Sequence, residues 1–489
     1  LSPERRRRFM VTHFFNPPRY MKLLELVAAE STSEEVFAYM RRYCEDRLGK
    51  GVVIAKDTPG FVANRIGVYS LALVAAKTRE YGRTVEEADA LTGSDIGRPN
   101  TGTFRLIDMI GRDTTLAVAD YQLKSVADPA ERAVLTMAGF FAQMQEKGYI
   151  GDKKKQGFYR KIDKETQVIE LDTLSYRSKL AAELPSLSMV KAAKTLPEKL
   201  ALWLTADDRG ARFVWDILKR TLLFVGGLIP EVADDAASVD NGMKWGYNWT
   251  VGPFELWDMI GVRSSAERMK AEGETLPPFV EKLLASGRER FYEGALVEED
   301  SRKISISGIR KKQAPVLGNS DASLYDAGEG VACFVLHSPN SSLTESVIET
   351  IHLAVEKVES DYLGMIIAST GKSFCVGANL PMILGLAESK DWAGLDALSA
   401  LFQKAFMALK YCPKPVVSAP FGMTLGGGAE MVMHTACVMA QSETGMGLVE
   451  TGVGLIPGAG GNKELLLRLT ANVQDDVAVD LDVFTRKAF

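Results

Sequence analysis

Apolar and polar positions change their period twice along this chain. Residues 9–27 hold a β-type run ending in Thr12-His13-Phe14-Phe15, a turn at Asn16-Pro17-Pro18, and a second apolar run from Tyr20 to Val27. Val52-Val53-Ile54-Ala55 is a third strand-like run. Beyond it, Thr58 is placed to cap a helix and Pro59 to take its first position, where a missing N–H costs nothing. The apolar stripe carries this helix through Asn64, Leu71 and Val74. From about 60 to 300 the spacing stays mostly helical, and Trp245, Trp249 and Trp257 are expected to fill the core of its second half.

The helical stretch repeats itself. Residues 102–111 (GTFRLIDMIG) match residues 252–261 (GPFELWDMIG) at an offset of 150, with Gly, Phe, Leu, Asp, Met, Ile and the closing Gly shared. Upstream, Ala88-Asp89 and Val239-Asp240 stand at a similar offset. Two copies of one helical module follow, over 58–185 and 186–300. Residues 301–328 are rich in Ser, Lys, Gly and Asp and read as a linker. From 329, strands (Val331–Leu336, Met365–Ala368, Pro415–Ala419) alternate with helices (Leu343–Val358, Ala397–Lys410), the pattern of an α/β domain.

Composition narrows the class without choosing a function. The 489 residues suit about three domains, and 46% hydrophobic with 25% charged residues is an ordinary globular balance. A net charge of -5 gives a nucleic-acid partner no general support, and Arg5–Arg8 reads as a solvated segment. The five cysteines are odd in number and have no CxxC spacing, which argues against a disulfide framework and a structural zinc site and favours the cytoplasm. No apolar run approaches the roughly 18 residues of a membrane span. The chain opens on Leu1, and residues 483–489 read as the start of a helix, so both ends look cut from something longer.

Only four histidines occur, at 13, 337, 352 and 434. The last three have no metal-ligand spacing and read as structural or surface residues; no metal site is expected. His13 closes a strand, and Glu25 follows twelve residues later in an apolar context. A carboxylate facing an imidazole holds one tautomer and strengthens the far nitrogen as a base. A packed histidine and a solvated glutamate explain the same residues. The run His13-Phe14-Phe15-Asn16-Pro17, then Met21 to Val27, then Lys56-Asp57-Thr58-Pro59-Gly60-Phe61 with Asn64-Arg65, resembles the 3-hydroxyacyl-CoA dehydrogenase family over about 55 residues in order and spacing. The resemblance implies His13 as general base, Glu25 as its orienting partner, and Asn64 as a polar contact to substrate and cofactor. It implies that residues 1–57 are the tail end of a Rossmann domain, and that the helical repeats build the acyl-CoA cleft and a homodimer contact. The family binds NAD through a GxGxxG turn, and no GxGxxG occurs here, so this chain by itself is not expected to transfer a hydride.

Three later pieces form a second constellation: Ser373 to Leu380, Leu425-Gly426-Gly427-Gly428-Ala429-Glu430, and Leu448 to Gly461. Glycines let backbone approach a ligand, and a helix that starts among them presents free N–H groups to an oxyanion. Glu430 and Glu450 in unlike surroundings can divide acid and base roles on one water; a first-turn glutamate and a loop glutamate are the plainer reading. The pieces resemble the enoyl-CoA hydratase (crotonase) family, which implies an oxyanion hole from the N–H groups of Ala378 and Gly427, with Glu430 and Glu450 adding water to a 2-enoyl-CoA thioester. Asn379 stands where that family often has Asp, and Asn462-Lys463 where Thr-Gln is common.

The expected architecture is α plus α/β: a duplicated all-helical dehydrogenase C-terminal domain, then an incomplete crotonase-like ββα spiral over 329–489. The expected activity is β-oxidation, hydrating 2-enoyl-CoA and oxidising (S)-3-hydroxyacyl-CoA with NAD. An enoyl-CoA isomerase and a CoA-binding or assembly module without turnover are the alternatives. The partners that the resemblance allows are acyl-CoA substrates, a second copy of the chain and a thiolase.

Overall fold

The computed structural model describes residues 1–136, 139–293 and 304–471. The chain divides into two compact units, Leu1–Val297 and Glu298–Phe489.

The first unit opens on a three-stranded sheet of β1 (Met10–Phe14), β2 (Leu23–Ala28) and β3 (Gly51–Ala55), in that order, antiparallel then parallel. Central β2 is buried from Leu23 through Val27, and Glu25 is its one charged residue. The antiparallel register sets His13 opposite Glu25. The following helix spans Ala63–Glu80, so it begins later than Thr58-Pro59 predicts. Residues 58–61 form a turn, with the Phe61 N–H donating to the Thr58 carbonyl at 3.0 Å. The Thr58 hydroxyl has no partner among the described residues. The helix is capped instead by Glu25, whose Oε1 accepts from the N–H groups of Val62 (3.0 Å) and Ala63 (2.9 Å). A carboxylate from a strand 37 residues upstream has displaced the local cap.

The two copies of the repeat are pinned alike. Asp89 accepts from the N–H groups of Phe104 and Arg105, at the start of the helix Phe104–Ile110. Asp108 accepts from those of Phe158 and Tyr159, and the Tyr159 hydroxyl donates back to Asp89 at 2.7 Å. Asp240, Phe254, Glu255, Asp258, Phe291 and Tyr292 repeat each bond, closing with Tyr292 to Asp240 at 2.7 Å. The first copy is not all helical. It carries an antiparallel sheet of β4 (Tyr159–Ile162), β5 (Glu165–Ile169) and β6 (Tyr176–Ser178), whose short strands lie below the length at which a period shows in the sequence. Trp249 and Trp257 are buried in the core as expected. Trp245 lies against Gly51 of β3 instead, beyond its own repeat.

The second unit is built on a six-stranded sheet. Its strands are β7 (Leu317–Gly318), β8 (Ala322–Asp326), β9 (Val331–Leu336), β10 (Gly364–Ser369), β11 (Val416–Ser418) and β13 (Cys437–Val438), in the order β13-β11-β10-β9-β8-β7. The four from β9 to β13 are parallel, and β7 and β8 add antiparallel. A separate parallel pair joins β12 (Met423–Leu425) to β14 (Gly445–Gly447). The linker expected over 301–328 is corrected for its described part. Residues 306–312 form a helix, and β7 and β8 are strands of the main sheet, with Ala322 to Tyr325 buried. Polar composition concealed a strand that its pairing with β9 stabilises. The helix start expected at 483–489 lies outside the described residues.

Among the described residues, no helix is long and apolar enough to cross a membrane.

Candidate functional site

In the first unit, His13 Nδ1 lies 2.6 Å from Glu25 Oε2. Glu25 is fully buried, and its other oxygen caps the Ala63–Glu80 helix. One carboxylate therefore fixes both the imidazole and the start of the helix that carries Asn64. With Nδ1 facing the carboxylate, Nε2 is the nitrogen available to take a proton. Phe15 and Phe61 flank the imidazole, at ring distances of 5.1 and 5.6 Å. His13 and Asn64 meet in one cavity of about 610 Å³, whose other wall includes Thr114, Ala117, Val118 and Tyr121. These four stand at positions i, i+3, i+4 and i+7 of the helix Arg112–Ser125, one face of it. Sequence reasoning missed them, although their helical spacing was the signal available.

In the second unit, a cavity of about 240 Å³ is lined by Ala378, Gly427, Glu430 and Glu450, the four residues that the sequence grouped. Apolar side chains, among them Leu380, Ile383, Leu398, Phe402 and Val453, make up much of its remaining wall. Gly427 opens the helix Gly427–Met433, so its N–H has no acceptor within that helix. The Ala378 amide nitrogen lies 3.6 Å from where a Cβ on Gly427 would stand. Gly377 makes this approach feasible: its φ is +97°, and a Cβ there would sit 2.9 Å from the Leu425 carbonyl oxygen.

The two carboxylates stand in unlike surroundings. Glu430 is 3% exposed, and its Oε1 accepts from the N–H groups of Ala459 (3.0 Å) and Gly461 (2.8 Å). Burial raises its pKa above the usual carboxylate range; the two N–H bonds oppose the rise and the charge of Glu450 adds to it. Both Glu450 oxygens are buried with no protein partner among the described residues, which leaves them to a water or a substrate. The sequence drew attention to the glycine run 458–461 without its role, which is to hold Glu430. His434, read as structural, is 1% exposed, and its Nδ1 lies 2.7 Å from the Glu430 carbonyl oxygen.

Comparison with known proteins agrees with this division. Residues 2–58 match the 3-hydroxyacyl-CoA dehydrogenase NAD binding domain, and 60–161 match the C-terminal domain of the same enzymes. Residues 326–476 match the enoyl-CoA hydratase/isomerase family. A Bacillus subtilis protein named probable 3-hydroxyacyl-CoA dehydrogenase is 41% identical, over 97% of this chain and 62% of its own length. A Rickettsia felis protein, provisionally named fatty acid oxidation complex trifunctional enzyme, is 32% identical over 94% of this chain and 62% of its own length. The chain thus spans about three fifths of these relatives. A solved enoyl-CoA hydratase from Bacillus anthracis aligns with 32% of this chain and 60% of its own, at 25% identity and a TM-score of 0.29. Along the chain, a helical dehydrogenase C-terminal domain precedes a crotonase-like domain, the order in which the three family models match it.

Proposed function

We propose that the protein carrying this chain acts in fatty-acid β-oxidation, hydrating 2-enoyl-CoA and oxidising the resulting (S)-3-hydroxyacyl-CoA to the 3-oxo thioester with NAD. The observation that carries this reading is that Glu430, Glu450, Ala378 and Gly427 line one largely apolar cavity. In hydration, one carboxylate takes a proton from water as the oxygen bonds to C3. Electrons move to the thioester oxygen, where the two N–H groups hold the enolate. The other carboxylate, protonated, gives its proton to C2.

For oxidation, His13 takes the proton of the substrate hydroxyl at Nε2, Glu25 stabilises the imidazolium, and Asn64 contacts the substrate. NAD belongs with the domain matched by residues 2–58. The residues present do not fit its pyrophosphate: the chain has no GxGxxG, and the helix Glu34–Asp46 after β2 opens with Glu34 and Glu35, whose charge repels phosphate. What this chain supplies is the proton side of the reaction.

The test is hydration of a 2-enoyl-CoA by the complete gene product and by its Glu430→Gln and Glu450→Gln variants. Each substitution is expected to lower the rate by ~100-fold or more. An unchanged rate in the variants would show that these carboxylates do not catalyse hydration, and CoA-thioester binding with no hydration by the unaltered protein would mean a CoA-binding or assembly module. A 3-enoyl to 2-enoyl shift that outpaces hydration on the same preparation would mean an isomerase.

A further inference from the structure

We propose that the second helical copy completes the dehydrogenase site, with the Tyr247 hydroxyl as the positioning residue for the Asn64 side chain. The inference rests on the reading of His13 and Asn64 given above. Tyr247 directly follows the helix Ala236–Gly246 and lies 183 residues from Asn64 in sequence. Its hydroxyl donates to Asn64 Oδ1 at 3.3 Å. Gln122 Nε2 donates to the Asn64 backbone carbonyl at 2.9 Å. Asn64 is thus held at its main chain from the first copy and at its side chain from the second.

The approach of Tyr247 is built into the packing. Its ring occupies a notch at Gly67, one turn beyond Asn64 on the same helix, where a Cβ would come within 2.0 Å of a ring carbon. The Phe15 ring, 5.1 Å from His13, lies 6.0 Å from the Tyr247 ring on its other side. Gly246 abuts Leu23 and Phe15, so the chain of the second copy reaches the strand next to Glu25. Burial, with the charge of Glu25 nearby, raises the phenol pKa and keeps the hydroxyl a donor.

The chemistry explains why such a contact matters. A primary amide presents an acceptor on one side and two donors on the other, and rotation exchanges them. Asn64 and His13 line one cavity; with Oδ1 bonded to the phenol, Nδ2 is the amide group left to donate to the oxygen that becomes the 3-oxo group. A phenylalanine at 247 would keep the ring in its notch and release the amide.

The experiment measures dehydrogenation of (S)-3-hydroxybutyryl-CoA with NAD by the complete gene product. Tyr247→Phe is expected to lower kcat/KM by about fivefold, the worth of one neutral hydrogen bond. The loss should fall on kcat, with KM within about twofold and an unchanged thermal midpoint. In an Asn64→Ala background the same substitution should have no further effect. A wild-type kcat/KM in Tyr247→Phe, an equal loss in the Asn64→Ala background, or a loss accompanied by a lower thermal midpoint would each overturn the proposal. His13→Gln separates the two readings: undiminished dehydrogenation there would refute the site itself, whereas its loss with Tyr247→Phe unaffected would refute only the role of Tyr247.

Discussion

Single residues here carry more than one task. Glu25 is a buried carboxyl on a central strand, a placement that is costly unless both of its oxygens are hydrogen-bonded. Its bonds to His13, Val62 and Ala63 meet that demand. His13 and the Asn64 helix are therefore referenced to one carboxylate, which fixes their spacing. Arg112 shows the opposite case. Its side chain is fully buried, and none of its three guanidinium nitrogens has a partner among the described residues. The matching position in the second copy, 150 residues on, is Val262, also buried. Burial of a guanidinium with no hydrogen-bond partner opposes folding and outweighs the attraction of Asp108 and Asp113, so Arg112→Met should stabilise the first unit by ~1–4 kcal/mol. Urea denaturation reads this directly, and a destabilised variant would show that the guanidinium is compensated.

At the level of elements, the repeat is held by two equivalent aspartate–tyrosine pins. Burial pushes Asp89 and Asp240 each up to about 7, against the bonds from Tyr159 or Tyr292 and from backbone N–H groups. An aspartate in the unfolded chain titrates near 3.9. Between about pH 4 and pH 7 the folded chain keeps protons that the unfolded chain has lost. This contribution to stability is complete below about pH 4, declines as pH rises through 7, and is level above. The unfolding free energy of the first unit should fall from pH 5 to pH 8 by at least ~1 kcal/mol, read as falling denaturation midpoints, and Asp89→Asn or Asp240→Asn should each flatten the slope. Midpoints that rise across this range would show that hydrogen bonding outweighs burial. The sequence showed the repeat through residues 102–111 and 252–261, but not its closure, because Phe158-Tyr159 and Phe291-Tyr292 stand at a different offset.

At the scale of the molecule, the two units have separate cores: Phe104, Phe158, Trp203 and Trp257 lie in one, and Phe334, Phe374 and Phe406 in the other. Calorimetry should resolve two transitions, and Arg112→Met should move only that of the first unit. A single cooperative transition would mean that the units unfold together. By itself, the sequence determined the order of the parts and the span of β9, because residue type and period carry these locally; the grouping of Ala378, Gly427, Glu430 and Glu450 and the pairing of His13 with Glu25 were legible through the resemblance to known families, since residue type and spacing left plainer readings open. Tertiary structure alone decided that Glu25 displaces Thr58 as a helix cap, that β7 and β8 occupy a polar stretch, that Ala459 and Gly461 hold Glu430, and that Gln122 and Tyr247 grip Asn64. The contacts of Glu25, Glu430 and Asn64 depend on segments distant in sequence coming together, while β7 and β8 gain their hydrogen bonds from pairing with each other and with adjacent β9, so all of these exist only once the chain has folded.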